Sequence, residues 1–348
     1  MPARKTIWPR RAEKLAALLP RERLHPAALR WLEGGSKEAR GRWVVALSGG
    51  ADSLALLLLL WAHWPVRRKN LLALHFNHRL RGRASDGDER FCRRLCAALG
   101  VGFFSDRWPD APRHASAAAA RTARFDFFQR QLRRLGLHAL CLAHQQDDVA
   151  ETLLMRIARG SGTGALAAPR PLQRIGEGRI HVRPLLGLKK AEIVAALRTA
   201  DIPWREDASN STDDHLRNRL RRTVLPAWRR SLAERDALAG AAWTRELLEE
   251  DDDALETWLT QTGAVRADGG LEVARLDGCP RAVVRRALHR WLRSQPHAGE
   301  LSRAAFAVLL AALEMGRPVR HSLGVNGFAV IRNGRLEFES VAARRARK

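Results

Sequence analysis

The sequence predicts an α/β protein: a doubly wound parallel sheet, followed by a helical linker and a small α/β C-terminal domain. Three observations carry this expectation. From Trp43 to about Leu186, short apolar β-forming runs alternate with helical runs, the signature of βαβ units and a parallel sheet. The clusters of polar, chemistry-bearing residues fall just after strands, where such sheets hold their ligands. Beyond Lys189 the strand signal fades into helices and returns only in three short runs near the C-terminus. The expected division is residues 1–215 for a nucleotide-binding catalytic domain, 216–264 for the linker and 265–348 for the C-terminal domain.

The elements follow in order. Residues 1–42 are basic and suggest two short helices, near Arg11–Leu19 and Pro26–Leu32. Pro26 sits at an early helical position and Gly34-Gly35 follow the end. Trp43–Leu47 reads as a buried strand and Leu54–Trp61 as a helix too apolar for a surface position. Asn70–Asn77 is a second strand. Ser85–Leu99 is a helix with Ser85 as N-cap and acidic residues in its first turn, where negative charge suits the helix dipole. Val101–Ser105, Ala139–His144 and Ile180–Leu186 continue the sheet. Helices at Ala115–Leu135, Asp147–Ala158 and Lys189–Ala200 follow these strands in turn. Ile202–Asn210 reads as a loop, Leu216–Glu234 as an arginine-rich helix and Ala237–Leu259 as another, with Val265–Gly270 as a linker. The last module has helices near Pro280–Arg293 and Ser302–Glu314. Its strands fall near Pro318–Leu323, Gly327–Arg332 and Arg335–Glu339, and Asn333-Gly334 marks a hairpin.

A net charge of +24 over 348 residues points to a polyanionic partner, nucleic acid first of all. Arg outnumbers Lys and Tyr is absent, so compositional bias also contributes. The four cysteines form no C-x-x-C pair, which argues against a zinc ribbon or an iron–sulfur site and for buried thiols. No run is long and apolar enough to span a bilayer, so a cytoplasmic protein without membrane association is expected.

Four clusters carry chemistry. Ser48-Gly49-Gly50 ends the first strand and Asp52-Ser53 opens a helix. Glycines there admit close backbone approach, and free N–H groups of a first helical turn attract anions. There is no Gly-Lys-Ser/Thr, which excludes a Walker A loop, and no G-x-G-x-x-G. The second cluster, His75–Gly82, brings two His and two Arg to a strand end, suited to phosphate or a base edge. In the third, Arg121 and Arg124 share one helix face. The fourth runs from His144 to Thr152 and on to Arg159–Gly162. Its adjacent carboxylates Asp147 and Asp148 suit Mg²⁺ or an amine, and equally a helix cap.

Together SGGADS (48–53), HFNHRLRG (75–82), ARTARF (120–125), AHQQDDVAETLL (143–154), RGSGTGAL (159–166), RPLL (183–186) and WREDASNSTDDHLRNRLR (204–221) resemble the tRNA(Ile)-lysidine synthetase family. SGGADS by itself resembles the loop of the wider PP-loop ATP pyrophosphatases, whose sheet is adenine nucleotide α-hydrolase-like. The resemblance implies a ligase forming a carbon–nitrogen bond. ATP adenylates the C2 oxygen of the wobble cytidine in tRNA(Ile) with a CAU anticodon, pyrophosphate leaves, and the amine of free lysine then displaces AMP to give lysidine. It also implies the site. Ser48, Gly49, Gly50, Ala51, Asp52 and Ser53 would bind ATP. Asp52, Asp147 and Asp148 would hold Mg²⁺, and Asp52, Arg124, His144 and Asp148 would be catalytic. Asp148 and Glu151 would bind lysine. His78, Arg81, Arg217, Arg219, Arg221 and Arg222 would contact tRNA. A homodimer is one admissible assembly.

Two departures stand out. Many members carry His-His where this chain has His144-Gln145, and Ala143 replaces Gly. The chain is also shorter than the longest members. A PP-loop thiolase is the nearest rival enzyme, but its sulfur chemistry calls for paired cysteines. A non-catalytic nucleotide- or RNA-binding protein is the rival from another class, and retention of Asp52, Arg124, Asp147 and Asp148 argues against it.

Overall fold

A computed structural model describes residues 7–34, 37–109, 111–112, 115–206, 216–232, 234–295, 301–324 and 327–340. Residues 207–215 of the 204–221 motif, the first six residues of the basic lead-in and the tail Arg344–Lys348 lie outside the described residues. The chain forms two compact units, Met1–Leu247 and Leu248–Lys348.

The first unit opens with helices α1 (Ile7–Leu18), α2 (Pro26–Glu33) and the single turn α3 (Lys37–Arg40). Alternation then begins: β1 (Trp43–Ala46), α4 (Ala51–His63), β2 (Leu71–Asn77), α5 (Arg83–Leu99), β3 (Gly102–Arg107), α6 (Ala117–Arg134) and β4 (Ala139–Cys141). Next come α7 (Gln146–Ile157), the short α8 (Thr163–Leu166), β5 (Leu172–Ile175), β6 (Arg179–Val182) and α9 (Lys190–Thr199). After residues 207–215 the chain resumes with α10 (Leu216–Arg219), a π-helical turn Leu220–Val224, and α11 (Leu225–Ser231). Pro226 has no N–H to give, so a wide turn before it leaves the helical path unbroken. The boundary between the units falls inside α12 (Ala237–Thr262).

The sheet order is β3-β2-β1-β4-β6-β5. Every pairing is parallel except β5 with β6. Strand β1 is therefore the switch point: the chain leaves it toward β2 and β3 on one side and returns through α6 to β4 on the other. Trp43 pairs with Leu71 on one flank and with Ala139 on the other. Loops after β1 and β4 diverge there and open a crevice at the carboxyl edge.

Alternate residues of the strands face two different cores. Val45, Leu47, Leu71, Ala73, Cys141 and Val182 pack with α4, α5 and α9, and Val44, Leu72, Leu74 and Leu140 pack with Phe127, Phe128 and Leu132 of α6. Helix α4 is buried at Ala51 and at every residue from Ser53 to Trp61. Its far side is covered by Ala12 and Leu15 of α1 and Ile193 and Leu197 of α9. That third layer explains a helix apolar all round.

Two expectations on element ends are corrected, and one strand is new. Gly82, at φ 48°, precedes α5, and Ser85 instead accepts from the Arg81 N–H at 3.2 Å. Residues 184–186, expected to continue a strand, lie in a helical turn Pro184–Gly187, because proline cannot donate to a ladder. Strand β5 was not anticipated. It is a polar edge strand, with Gln173 and Arg174 in its middle.

The second unit has its own antiparallel sheet of β7 (Leu271–Glu272), β8 (Val319–Ser322), β9 (Gly327–Arg332) and β10 (Arg335–Ser340), in the order β7-β10-β9-β8. Helices α13 (Arg281–Ser294) and α14 (Arg303–Glu314) cover it around Trp291, Leu288 and Leu309. Asn333 and Gly334 both take positive φ, 50° and 72°, as a two-residue hairpin turn requires.

Leu57 is fully buried between the sheet and the outer helices. Leu57→Ala is expected to cost about 2–5 kcal/mol through lost burial and a residual cavity. A denaturant titration checks this as a lower midpoint at unchanged slope; a loss below about 1 kcal/mol would contradict the sandwiched placement of α4.

Candidate active site

The loop after β1 is held open by its own hydroxyls. Ser53 Oγ accepts from the Ser48 N–H at 3.1 Å and donates to the Gly50 carbonyl at 3.1 Å, and Ser48 Oγ accepts from the Gly50 N–H at 3.3 Å. Gly49 has φ +89°, and a Cβ there would meet Cys92 Sγ at 3.1 Å, so glycine fits both backbone and space. Gly50 is the N-cap of α4 and offers no side-chain bond to the first turn. The N–H groups of that turn are therefore left to an anion, with the helix dipole behind them.

Asp52, in the same turn, is paired with Lys190 Nζ of α9 at 2.7 Å. Burial raises the Asp52 pKa, with the nearby Asp148 charge adding to the rise and Lys190 opposing it. Asp52 and Asp148 are thus near enough at the switch point for their charges to oppose one another.

The loop after β4 is built around a capping box. Gln145, 2% exposed, is the N-cap of α7: its Oε1 accepts from the Asp147 N–H at 2.6 Å, and Asp148 Oδ2 accepts from the Gln145 N–H at 3.0 Å. The cap is thus Gln145 with Asp148, which gives Gln145 a structural task. Asp147 turns the other way and accepts from the Lys190 backbone N–H at 2.9 Å, joining the starts of α7 and α9.

The remaining Asp148 oxygen meets Arg217 Nη2 at 2.5 Å. Glu151, one turn further and wholly buried, accepts from Arg217 Nε at 2.5 Å and from Arg221 Nε at 2.6 Å. Burial pulls the Asp148 pKa up, but Arg217, His144 and the Gln145 N–H overcome it and hold the carboxyl below its usual range. Both arginines are raised in turn, because these carboxylates outweigh burial.

Arg124 stands on α6 beside this cluster with its buried Nε lacking a hydrogen-bond partner. Burial, Arg121 and Arg217 push its pKa down to about 10, so it remains charged. Arg183 Nε donates to His144 Nδ1 at 3.1 Å, and its other nitrogens are held by the Arg170 carbonyl and Gln173. Burial lowers the His144 pKa to about 3, so the imidazole is neutral at pH 7.

The structure brings Ser48–Ser53, Asp52, His144, Asp148, Glu151 and Arg217 into one crevice. Arg217 and Arg221, expected on tRNA, are turned onto carboxylates; Arg219 and Arg222 are exposed. Arg81 pairs with Asp88 at 2.7 Å, and Asp88 also holds Arg205, whose backbone N–H donates to the Gly49 carbonyl at 2.9 Å. The second cluster therefore braces the loop. His75 is buried and donates to the Leu47 carbonyl, and His78 packs edge-on to Phe76. Lys190, Arg183 and Arg205 were not anticipated. Lys190 lies 138 residues from Asp52, and no spacing rule links them.

Among the described residues no group of three or more His, Cys, Asp or Glu is arranged to hold a metal ion. The donor set is nonetheless of the right kind for Mg²⁺, which takes one or two carboxylates and fills its shell with water and phosphate oxygens. Cys92, Cys96 and Cys141 are buried, and burial raises the last two to about 12. They act as small apolar residues. No described helix is long and apolar enough to cross a membrane.

Residues 25–228 match the PP-loop domain model. The chain is 32% identical over 332 residues to the tRNA(Ile)-lysidine synthase of Bradyrhizobium diazoefficiens, covering 87% of this chain and 90% of that one. The family is thereby decided. The chain belongs to the tRNA(Ile)-lysidine synthase family. The enzyme of Geobacter sulfurreducens is 36% identical over 285 residues, 79% of this chain and 59% of its own length. That of Bacillus subtilis is 39% identical over 189 residues, 53% of this chain and 39% of its own. The chain thus spans about 40–60% of several of the curated relatives that it matches. In fold it is similar to the U34-tRNA thiolase NcsA of Methanococcus maripaludis, with a TM-score of 0.50 and 17% identity over 69% of this chain and 78% of that one.

Burial also lowers the pKa of His181, 5% exposed on β6, to about 3. Below pH 6.5 the unfolded chain takes up a proton that the native site refuses, so stability falls as pH drops from 6.5 toward 3. The slope is at most about 1.4 kcal/mol per pH unit. Urea titrations at pH 7 and pH 5 should show His181→Gln losing less stability than wild type over that interval; equal losses would contradict a neutral buried imidazole.

Proposed function

We propose that the protein uses ATP to join free lysine to C2 of the wobble cytidine of tRNA(Ile) with a CAU anticodon. The observation that carries this reading is the meeting, at one switch point, of a phosphate-type loop and two neighbouring carboxylates, each paired with a cation, in a chain of this family. The loop Ser48–Ser53 receives the triphosphate on the N–H groups of α4. The pairing of Asp52 with Lys190 puts a fixed cation beside that anion. Asp52 and Asp148 are the residues that would hold Mg²⁺, which when bound neutralises phosphate charge; Asp147 is committed to the start of α9.

The C2 oxygen of the base attacks the α-phosphorus of ATP and pyrophosphate departs. Arg124, charged and lacking an Nε partner, faces the charge that develops. The lysine amine then adds at C2, its proton is lost, and the oxygen leaves with AMP. His144, neutral and fixed by Arg183, is placed to position a polar group. Glu151 suits the cationic end of lysine: it is a buried carboxylate that already binds two guanidinium groups, so an ammonium exchanges for like charge. The exposed Arg219 and Arg222 would contact the RNA backbone, and the basic residues of the C-terminal domain at 265–348 would supply contacts of their own. A cytoplasmic location follows from the substrate.

Mass spectrometry of the CAU isoleucine tRNA after incubation with protein, ATP, Mg²⁺ and lysine tests the proposal. A lysine-dependent mass gain on the wobble cytidine is expected; bound but unchanged tRNA would contradict it. Asp148→Asn should abolish product while leaving tRNA affinity within about twofold. Replacing Arg219 and Arg222 by Ala should instead reduce the salt dependence of tRNA binding by about one unit of slope per lost phosphate contact. An unchanged slope would place the RNA elsewhere.

A further inference from the structure

Beside the crevice, α6 and the β5–β6 hairpin line a second, open hollow of about 340 Å³. His181 and Arg183, 5% and 4% exposed, form its floor, and Phe125 and Gln173 its walls. Arg121 and Asp126 stand exposed at its rim. The hollow adjoins the reaction centre, because Arg183 also holds His144 and because the charges of Arg121 and Asp148 are felt by one another.

Three polar groups of this hollow lack an ion-pair or hydrogen-bond partner among the described residues, although the Arg121 guanidinium and the His181 ring both pack on Phe125. Arg121 lies over the Phe125 ring at 4.7 Å, and among the described residues no carboxylate pairs with it. Asp126, five positions on, has no cation partner among the described residues, although the chain carries a large cationic surplus. His181 Nε2 is buried without a hydrogen-bond partner. A cation and an anion left apart on one rim, above an aromatic wall, match a ligand that combines a phosphate, a flat ring and an amino group. The volume admits one nucleotide. An unstacked base from an RNA loop supplies that combination, and aromatic side chains are the usual platform for it.

We propose that this hollow seats the pyrimidine to be modified, with its ring against Phe125 and His181, Arg121 on the flanking phosphate, and Asp126 accepting from the exocyclic amine. This makes Asp126 a specificity residue: uracil would turn a carbonyl oxygen toward the carboxylate, whereas cytosine donates to it. The inference rests on the proposed function. It concerns residues outside the phosphate loop and outside the Asp148–Glu151 cluster.

The test uses the full-length protein and an anticodon stem-loop carrying 5-iodocytidine at the wobble position. After irradiation, the crosslinked peptide is mapped, with product formation on the unmodified stem-loop measured in parallel. Crosslinks within 121–126 or 173–183 are expected. Product with crosslinks only outside both segments overturns the hollow while leaving the proposed function intact; no product from wild type overturns that function and the hollow with it. Asp126→Asn, a conservative change at an exposed position, should lower kcat/KM for the cytidine stem-loop by about tenfold or more and leave the KM for lysine and ATP unchanged. Asp126→Glu should recover part of the loss. A raised lysine KM with unchanged RNA constants would mean that the hollow takes the amino acid, which also overturns the proposal.

Discussion

The parallel pairing of β1 with both β2 and β4 is the constraint on which the rest depends. Its register, Trp43 against Leu71 and against Ala139, sends the two flanking connections to opposite sides. The ends of β1 and β4 must then meet at one edge with their loops splayed. The loop Ser48–Ser53 and the loop His144–Asp148 are neighbours for that reason, although about a hundred residues separate them in sequence. The burial of α4 under α1 and α9 fixes the start of that helix, and with it the position of its free N–H groups.

A second constraint follows from charge. Asp52, Asp148 and Glu151 are drawn into a crevice where an unpaired carboxylate would be costly. Each is answered by a cation from a distant segment: Lys190 for Asp52, Arg217 for Asp148, and Arg217 with Arg221 for Glu151. These pairs tie α9 and the helical segment from Leu216 onward to the crevice. Removing one partner leaves a buried charge, whereas exchanging one cation for another preserves the balance. The same arrangement therefore suits both stability without ligands and the admission of an ammonium group.

Much of this was legible in the sequence. The strand–loop–helix at 43–61 announces itself through apolar run, glycines and helix start, and the acidic pair at 147–148 does so by falling after a strand. The parallel sheet follows from alternation. What stayed hidden was long-range or local in another sense. Lys190 meets Asp52 only because α9 packs on α4, which no spacing rule expresses. Arg183 is buried just after β6, whose neighbour β5 is a polar edge, so neither its burial nor its bond to His144 could be foreseen. Gln145 was legible in principle, since a polar residue three before Asp148 fits a capping box; the cap was instead expected of the acidic pair Asp147-Asp148 itself. Ser85 failed as a cap because the helix starts after Gly82, three residues earlier than composition suggests.

The most direct measurement of the central claim is pyrophosphate exchange into ATP in the presence of the CAU isoleucine tRNA and the absence of lysine. If the switch-point crevice first adenylates the RNA, labelled pyrophosphate enters ATP in a tRNA-dependent manner without lysine, and Asp148→Asn abolishes it. Exchange that proceeds without tRNA, or that requires lysine, would contradict the account.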